Sequence, residues 1–375
     1  MNGGADMAQD LNLKALRAAG VSIWLDTLSR WLLRSGEFET LIDDYGVTGA
    51  TSNPTIFAKA ITSSDLYDEQ LKHLVASGDR DTQELFFSLA LDDVRAAAKL
   101  LRREYERSGG RDGFISFECT PDLAEDTGAT IDQAAELWAR LGLPNVMIKV
   151  PGTKAGLPAI EELTRRGINI NVTLLFSIDR YEQVMAAYIG GLSARAQEGE
   201  SLQHVRSVAS FFLSRIDTKV DARLPEGSPL RGTVALASAR VAYQRYLSTF
   251  AGPEWERLRK LGANRQLPLW ASTGTKNPDY SDVLYVAELV GPEVVNTMPE
   301  HTLCAFADHG RVARTLDADP DAAQRTLSDA AAAGIDLAEV TAELEREGVE
   351  SFCGSYRQLQ DCLAGKAGMV KGALT

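Results

Sequence analysis

Eight short apolar runs recur along the chain, and amphipathic stretches with a helical period lie between them. The runs fall at about residues 21–25, 47–52, 113–119, 145–150, 168–172, 207–212, 267–272 and 294–298. Each is strand-length and rich in apolar or β-branched residues, which predicts eight strands. Helical periods stand before the fourth run, at 131–141, and after the fifth, at 178–197. Strands that alternate with helices predict a parallel sheet, either open and doubly wound or closed. Eight units, with no G-x-G-x-x-G after the first strand, favour an α/β fold of the closed kind, a (β/α)8 TIM barrel.

Two connections are too long for one helix. Residues 54–112, after strand 2, and 216–266, between strands 6 and 7, each require extra helices. The tail from about residue 317 also reads as helical, with Leu337, Val340, Leu344 and Val349 spaced for one face. No linker, 20–50-residue repeat or low-complexity tract interrupts the pattern. The expectation is therefore a single barrel domain over residues 1–375. A flexible N-terminal extension over 1–9 precedes it, with Met7 an alternative start, and C-terminal helices over about 317–375 pack on the barrel.

Side-chain parity sharpens this reading, because successive residues of a strand face opposite sides. Val21, Ile23 and Leu25 oppose Ser22, Trp24 and Asp26. Ile115, Phe117 and Cys119 oppose Phe114, Ser116 and Glu118. Val146, Ile148 and Val150 oppose Asn145, Met147 and Lys149. Ile168, Ile170 and Val172 oppose Asn169, Asn171 and Thr173. In the sixth strand, Ala209 and Phe211 oppose Ser210 and Phe212. One face is apolar and suited to helices. The other gathers polar groups toward the strands' C-terminal ends, where barrel active sites are built. Asp26, Glu118, Lys149, Asn171, Thr173 and Ser210 are thus expected in one mouth, joined by Asn53 just past strand 2.

Composition narrows the chemistry. The apolar and charged fractions, 45% and 24%, are those of an ordinary globular protein. No apolar run approaches the ~20 residues needed to span a bilayer, so no membrane role is expected. The net charge of −13 argues against a nucleic-acid partner. The N-terminus shows no secretory pattern, and Cys119, Cys304, Cys353 and Cys362 form no C-x-x-C, so free thiols in a cytoplasmic setting are expected. The four histidines, His73, His204, His301 and His309, are dispersed, and no metal site is expected.

A lysine in an apolar strand raises a chemical question. Enclosure disfavours the charged ammonium, and a neutral amine is a nucleophile toward carbonyl carbon. Such Schiff-base chemistry also needs acid/base groups, for which Asp26 and Glu118 serve. Neutral polar groups would hold substrate hydroxyls, for which Asn53, Asn171 and Ser210 are suited, and Thr173 could position a water. A phosphorylated sugar needs cations at the rim. Arg215, in S-F-F-L-S-R, and Ser272 with Lys276, in S-T-G-T-K-N, are placed for this; Lys154, in P-G-T-K-A-G, reads better as a solvated residue at a helix start. Each residue has a plainer reading. Asp26 could cap the helix that follows, Asn53 could be turn chemistry before Pro54, and Lys149 could be an ion-pair partner of Asp26 or Glu118. Together, that many polar groups on one rim are costly to bury without a use.

The same residues carry a family resemblance. W-L-D-T-L-S-R (24–30), G-V-T-G-A-T-S-N-P-T-I-F (46–57), F-I-S-F-E (114–118), N-V-M-I-K-V-P-G-T (145–153), G-I-N-I-N-V-T-L-L-F-S (167–177), S-F-F-L-S-R (210–215) and N-T-M-P (296–299) make the chain resemble the transaldolase family, in its longer bacterial form. T-S-N-P and N-V-T-L-L-F-S are the most specific of these. The resemblance implies a cofactor-free barrel that moves a dihydroxyacetone unit from sedoheptulose 7-phosphate to glyceraldehyde 3-phosphate in the pentose phosphate pathway. It implies Lys149 as the Schiff-base lysine and Asp26 as the acid/base in C–C cleavage. Glu118 would act through a water held with Thr173. Asn53, Asn171 and Ser210 would contact the dihydroxyacetone part, and Arg215 and Ser272 the phosphate.

Shorter relatives place an arginine two residues after the serine equivalent to Ser272, where this chain has Gly274; Lys276 is the nearest cation. An aldolase releasing free dihydroxyacetone is the rival enzyme. Relatives with that activity tend to carry tyrosine where Phe212 stands. A non-catalytic sugar-phosphate-binding barrel and a pyridoxal phosphate enzyme are further alternatives. Monomer and homodimer both remain open.

Overall fold

The computed structural model describes residues 3–78 and 80–374. Eight parallel strands close a barrel in sequence order. They are β1 (Val21–Leu25), β2 (Gly49–Thr51), β3 (Ile115–Glu118), β4 (Val146–Pro151), β5 (Ile170–Leu175), β6 (Ser207–Phe212), β7 (Gln266–Ala271) and β8 (Val294–Met298). This is the (β/α)8 barrel expected from the alternation.

β1, β6 and β8 keep the expected bounds, while β2, β3, β4, β5 and β7 differ from them by one to three residues at their ends. β2 keeps only Gly49–Thr51 of the expected 47–52. Gly49 is needed there because Trp24 of β1 points into the barrel: a Cβ at position 49 would lie 2.5 Å from the indole. β5 runs on to Leu175. Its pairing with β6 slips between Val172 and Leu175, and Leu174 takes a left-handed φ of 59° to absorb the irregularity.

Val146, Ile148 and Val150 of β4 are fully buried, as the apolar face requires. Full burial of such side chains contributes roughly 1.5–3 kcal/mol each relative to exposure. β3 pairs with β4 so that Glu118 faces Lys149, and β4 pairs with β5 so that Lys149 faces Asn171. Register, not sequence proximity, therefore assembles the polar row.

The long connections are helical. Pro54–Thr62, Asp68–Ala76, Thr82–Leu100 and Arg102–Arg107 follow β2; Ser214–Asp221, Val234–Thr249 and Pro253–Lys260 separate β6 from β7. After β8 and the helix Glu300–His309 come Pro320–Ala332 and Leu337–Leu374. The last has 38 residues, about 57 Å at helical rise. On it Val340 and Leu344 are buried, and Leu337 and Val349 pack at the core's edge. Glu343 ties it to Lys219 at 2.9 Å and to Arg223 at 2.8 Å, beyond β6. At the other end of the chain, residues 1 and 2 of the expected extension lie outside the described residues, and a helix begins at Gly3 (Gly3–Ala18). Among the described residues no helix is long and apolar enough to cross a membrane.

Candidate functional site

Lys149 is 4% exposed, near the C-terminal end of β4. Its Nζ lies 3.0 Å from Glu118 Oε2 and donates to the Ser52 carbonyl at 3.3 Å. The approach to Glu118 suits charge attraction but lies off the hydrogen-bond direction: Glu118 Oε2 is buried and accepts no aligned hydrogen bond from the described residues. Thr173 Oγ1 is buried and unpartnered in the same sense. Burial raises the Glu118 pKa, with Lys149 opposing the rise and Asp26 adding to it.

Asp26 follows β1 directly. Ser29 caps the next helix, accepting from the Leu32 N–H at 3.1 Å. Asp26 is therefore free of the capping role, and it accepts a hydrogen bond from Thr51 Oγ1 at 3.0 Å. Part of Asp26 remains open to the mouth, yet desolvation still raises its pKa; Lys149, Thr51, Lys276 and Arg215 pull it back down. Thr51 Oγ1 also lies 3.0 Å from Thr297 Oγ1, which joins β1, β2 and β8 on the inward side.

A chain of hydrogen bonds fixes the opposite wall. Asn171 Nδ2 donates to Ser116 Oγ at 3.0 Å, and Asn171 Oδ1 accepts from Ser210 Oγ at 2.7 Å. Asn53 keeps its turn role: it caps Pro54–Thr62, its Oδ1 accepting from Ile56 N–H at 3.0 Å. Its side chain nonetheless also borders the mouth.

The mouth encloses a cavity of about 180 Å³. Of the expected residues, Asp26, Asn53, Lys149, Ser210, Phe212, Arg215, Ser272 and Lys276 line it. Glu118, Asn171 and Thr173 do not reach its surface; they are buried in the wall, at 4% exposure or less. Lys154 is exposed and does not line the cavity. Phe212 packs on Phe176, ring centroids 5.3 Å apart, and the Arg215 guanidinium lies 5.6 Å from the Phe212 ring. Desolvation lowers the Arg215 pKa, while Asp26 and Glu347 act to hold its charge. Ser272 adopts a left-handed φ of 55°, uncommon for a serine, and its Oγ lies 2.8 Å from Ser214 Oγ.

Several lining residues were not anticipated. Thr51 and Thr297 lie on the inward parity of β2 and β8, so the test applied to the other strands would have found them. His301 and Phe352 had no such signal, since both sit on helices. Pro299 is the tight neighbour of Gly274, and His301 lies at ordinary contact distance. A Cβ at 274 would approach Pro299 Cγ at 3.2 Å and His301 Nε2 at 3.6 Å. The imidazole thus occupies the space beside the position where shorter relatives are expected to carry arginine.

Residues 23–363 match the family model described as transaldolase/fructose-6-phosphate aldolase. The chain is 48% identical over 371 residues to a transaldolase of Mycolicibacterium smegmatis, covering 97% of this chain and all of that protein. It is 49% identical to transaldolases of Mycolicibacterium paratuberculosis and Mycobacterium tuberculosis, covering 94% of this chain and 96% of each relative.

Proposed function

The chain belongs to the transaldolase/fructose-6-phosphate aldolase family, and from that membership we propose that it is a transaldolase acting through a Schiff base on Lys149. The reaction would move dihydroxyacetone from sedoheptulose 7-phosphate to glyceraldehyde 3-phosphate, giving erythrose 4-phosphate and fructose 6-phosphate. The carrying observation is the buried Lys149, 3.0 Å from Glu118 and open to a cavity that also holds Asp26.

The residues divide the chemistry as follows. Glu118 takes a proton from the Lys149 ammonium, and the free amine attacks the ketose C2 carbonyl. Loss of water from the carbinolamine gives a protonated imine, with Glu118 and Thr173 handling the water; Thr173 Oγ1, buried and without a hydrogen-bond partner among the described residues, supports this role. Asp26 takes the proton of the C4 hydroxyl as the C3–C4 bond breaks and the aldose phosphate leaves. The bond's electron pair remains on the enamine. That enamine adds to the aldehyde of glyceraldehyde 3-phosphate while Asp26 returns the proton to the new hydroxyl. Hydrolysis then frees fructose 6-phosphate and the amine.

Asn53 and Ser210 hold the dihydroxyacetone hydroxyls and carbonyl, with Asn171 positioning Ser210 from behind through their hydrogen bond, while Arg215, Ser272 and Lys276 meet the phosphate. Phe212 presents no hydroxyl to activate water against the intermediate, which supports transfer over release of free dihydroxyacetone. The four free cysteines support a reducing, cytoplasmic setting in the pentose phosphate pathway.

A coupled assay with sedoheptulose 7-phosphate and glyceraldehyde 3-phosphate tests the reading. Stoichiometric erythrose 4-phosphate and fructose 6-phosphate are expected. Free dihydroxyacetone as the main product would favour the aldolase, and no turnover of any ketose phosphate would remove the enzymatic assignment.

A further inference from the structure

A second and larger cleft, of about 870 Å³, opens at the opposite end of the barrel. Its floor is built from the N-terminal halves of the strands, with Trp24, Phe114 and Met147 among its residues. Its rim is strongly cationic for a chain of net charge −13: Arg17, Arg107, Arg111, Arg206, Arg259 and Arg265 face it, against the carboxylates of Glu104, Asp112 and Glu293.

The carboxylates are already engaged. Glu104 is shared by Arg17 at 3.3 Å and Arg107 at 2.6 Å, and Glu293 pairs with Arg265 at 2.5 Å. Asp112 accepts from the Trp24 indole N–H and from Gly113 N–H, both at 2.9 Å, and burial raises its pKa, away from the charged form. Arg259 leans outward to Glu256, at 2.9 Å.

Two arginines are left without a carboxylate partner among the described residues. Arg206 donates only to carbonyls, those of Gly110 at 2.7 Å, Gln203 at 2.6 Å and Val205 at 3.1 Å. Arg111 donates to the Ser108 carbonyl at 2.9 Å. Arg206 is half-buried, and its bond to the Gly110 carbonyl sets its guanidinium beside the segment that carries Arg111; desolvation lowers its pKa, and the charge of Arg111 adds to that. A partly desolvated guanidinium beside another, with no counter-charge, is an unfavourable arrangement that an anion relieves. Arg111 spends only its Nε on a carbonyl and can present its paired Nη groups as a fork to phosphoryl oxygens, while Arg206, with Nε and Nη1 engaged, adds Nη2.

We propose that this cleft is a binding site for a phosphorylated small molecule, held by Arg111 and Arg206 and distinct from the catalytic mouth. Inorganic pyrophosphate is a suitable probe because it offers paired phosphoryl oxygens and no carbonyl for the mouth to react with. Calorimetric titration of the full chain at fixed ionic strength should show saturable binding that weakens at least tenfold in R111Q/R206Q, with the double R215Q/K276Q variant retaining it. R111K/R206K should bind with intermediate strength, since it keeps charge but loses the fork.

R111Q alone changes one exposed side chain and should weaken binding several-fold, which covers the case in which the double variant does not fold. Retention of wild-type affinity by a folded R111Q/R206Q or R111Q variant would overturn the assignment. So would loss of all binding in R215Q/K276Q, or citrate binding as tightly as pyrophosphate.

Discussion

Lys149 and Glu118 are register partners on adjacent strands, and their charged atoms lie 3.0 Å apart at the buried base of the mouth. Neither is tolerable there alone. The pair is a ready route for the proton that must leave the amine before it can attack a carbonyl. Glu118→Gln keeps the shape and removes that acceptor. Its kcat should fall about 10²-fold, the lower range for a lost acid/base group, with the far-ultraviolet circular dichroism unchanged. A kcat within threefold of wild type would remove Glu118 from proton transfer.

Asp26 sits in a balance of opposed influences. Burial raises its pKa, and Lys149, Lys276 and Arg215 lower it. Lys276→Met removes one of the lowering charges. The acid limb of kcat against pH should therefore move to higher pH, and KM for the phosphorylated donor should rise. A limb that stays in place would mean that Lys276 does not act on the acid/base group.

His301 lies beside Gly274, at the part of the cavity that also holds Ser272 and Lys276. His301→Ala should raise KM for fructose 6-phosphate several-fold and leave kcat nearly unchanged, since binding and not bond breaking is affected. Steady-state kinetics with both donors separates the two parameters. A fall in kcat at constant KM would assign His301 to the chemistry instead.

Asp217 couples the site's scaffold to pH. It lies two residues after Arg215, buried, and accepts from Ala235 N–H and Tyr285 O–H, each at 2.8 Å. Burial nevertheless raises its pKa from 3.8 to about 6. A raised carboxylate favours the fold while protonated, and that contribution is lost as pH rises from about 4 through 6. The rise corresponds to roughly 3 kcal/mol. Asp217→Asn mimics the protonated form. Relative to wild type it should therefore gain stability between pH 4.5 and pH 7.5, which urea unfolding at the two values measures. A difference independent of pH would show that Asp217 does not titrate in this window.

Much of this site was legible in the chain because a strand's two faces are visible in sequence. The same alternation that hides Val146, Ile148 and Val150 in the wall turns Lys149 inward, and β3 and β5 obey it too. Parity was less informative about depth. Glu118, Asn171 and Thr173 share the inward face but lie under the cavity surface, although the register sets Glu118 and Asn171 level with Lys149, which reaches it. The plainer reading of Asp26 as a cap could be decided only by seeing Ser29 take that role. Local geometry was invisible as well. The left-handed turns at Leu174 and Ser272 carry no glycine to announce them. Phe352 lies 54 residues beyond the end of β8 and comes to the mouth only because the long C-terminal helix packs across the barrel's C-terminal side. The arginine-lined cleft is another case: its residues come from six stretches, 17–24, 104–114, 147, 206–208, 255–267 and 292–295, and only closure of the barrel brings them together.

The proposed mechanism stands on a covalent imine between Lys149 and the ketose. Incubation with fructose 6-phosphate, reduction with borohydride and peptide mass spectrometry test it directly. A reduced sugar adduct is expected on the peptide that contains Lys149, and none in Lys149→Ala. An unmodified Lys149 peptide from folded, active enzyme, or an adduct on another lysine, would contradict it.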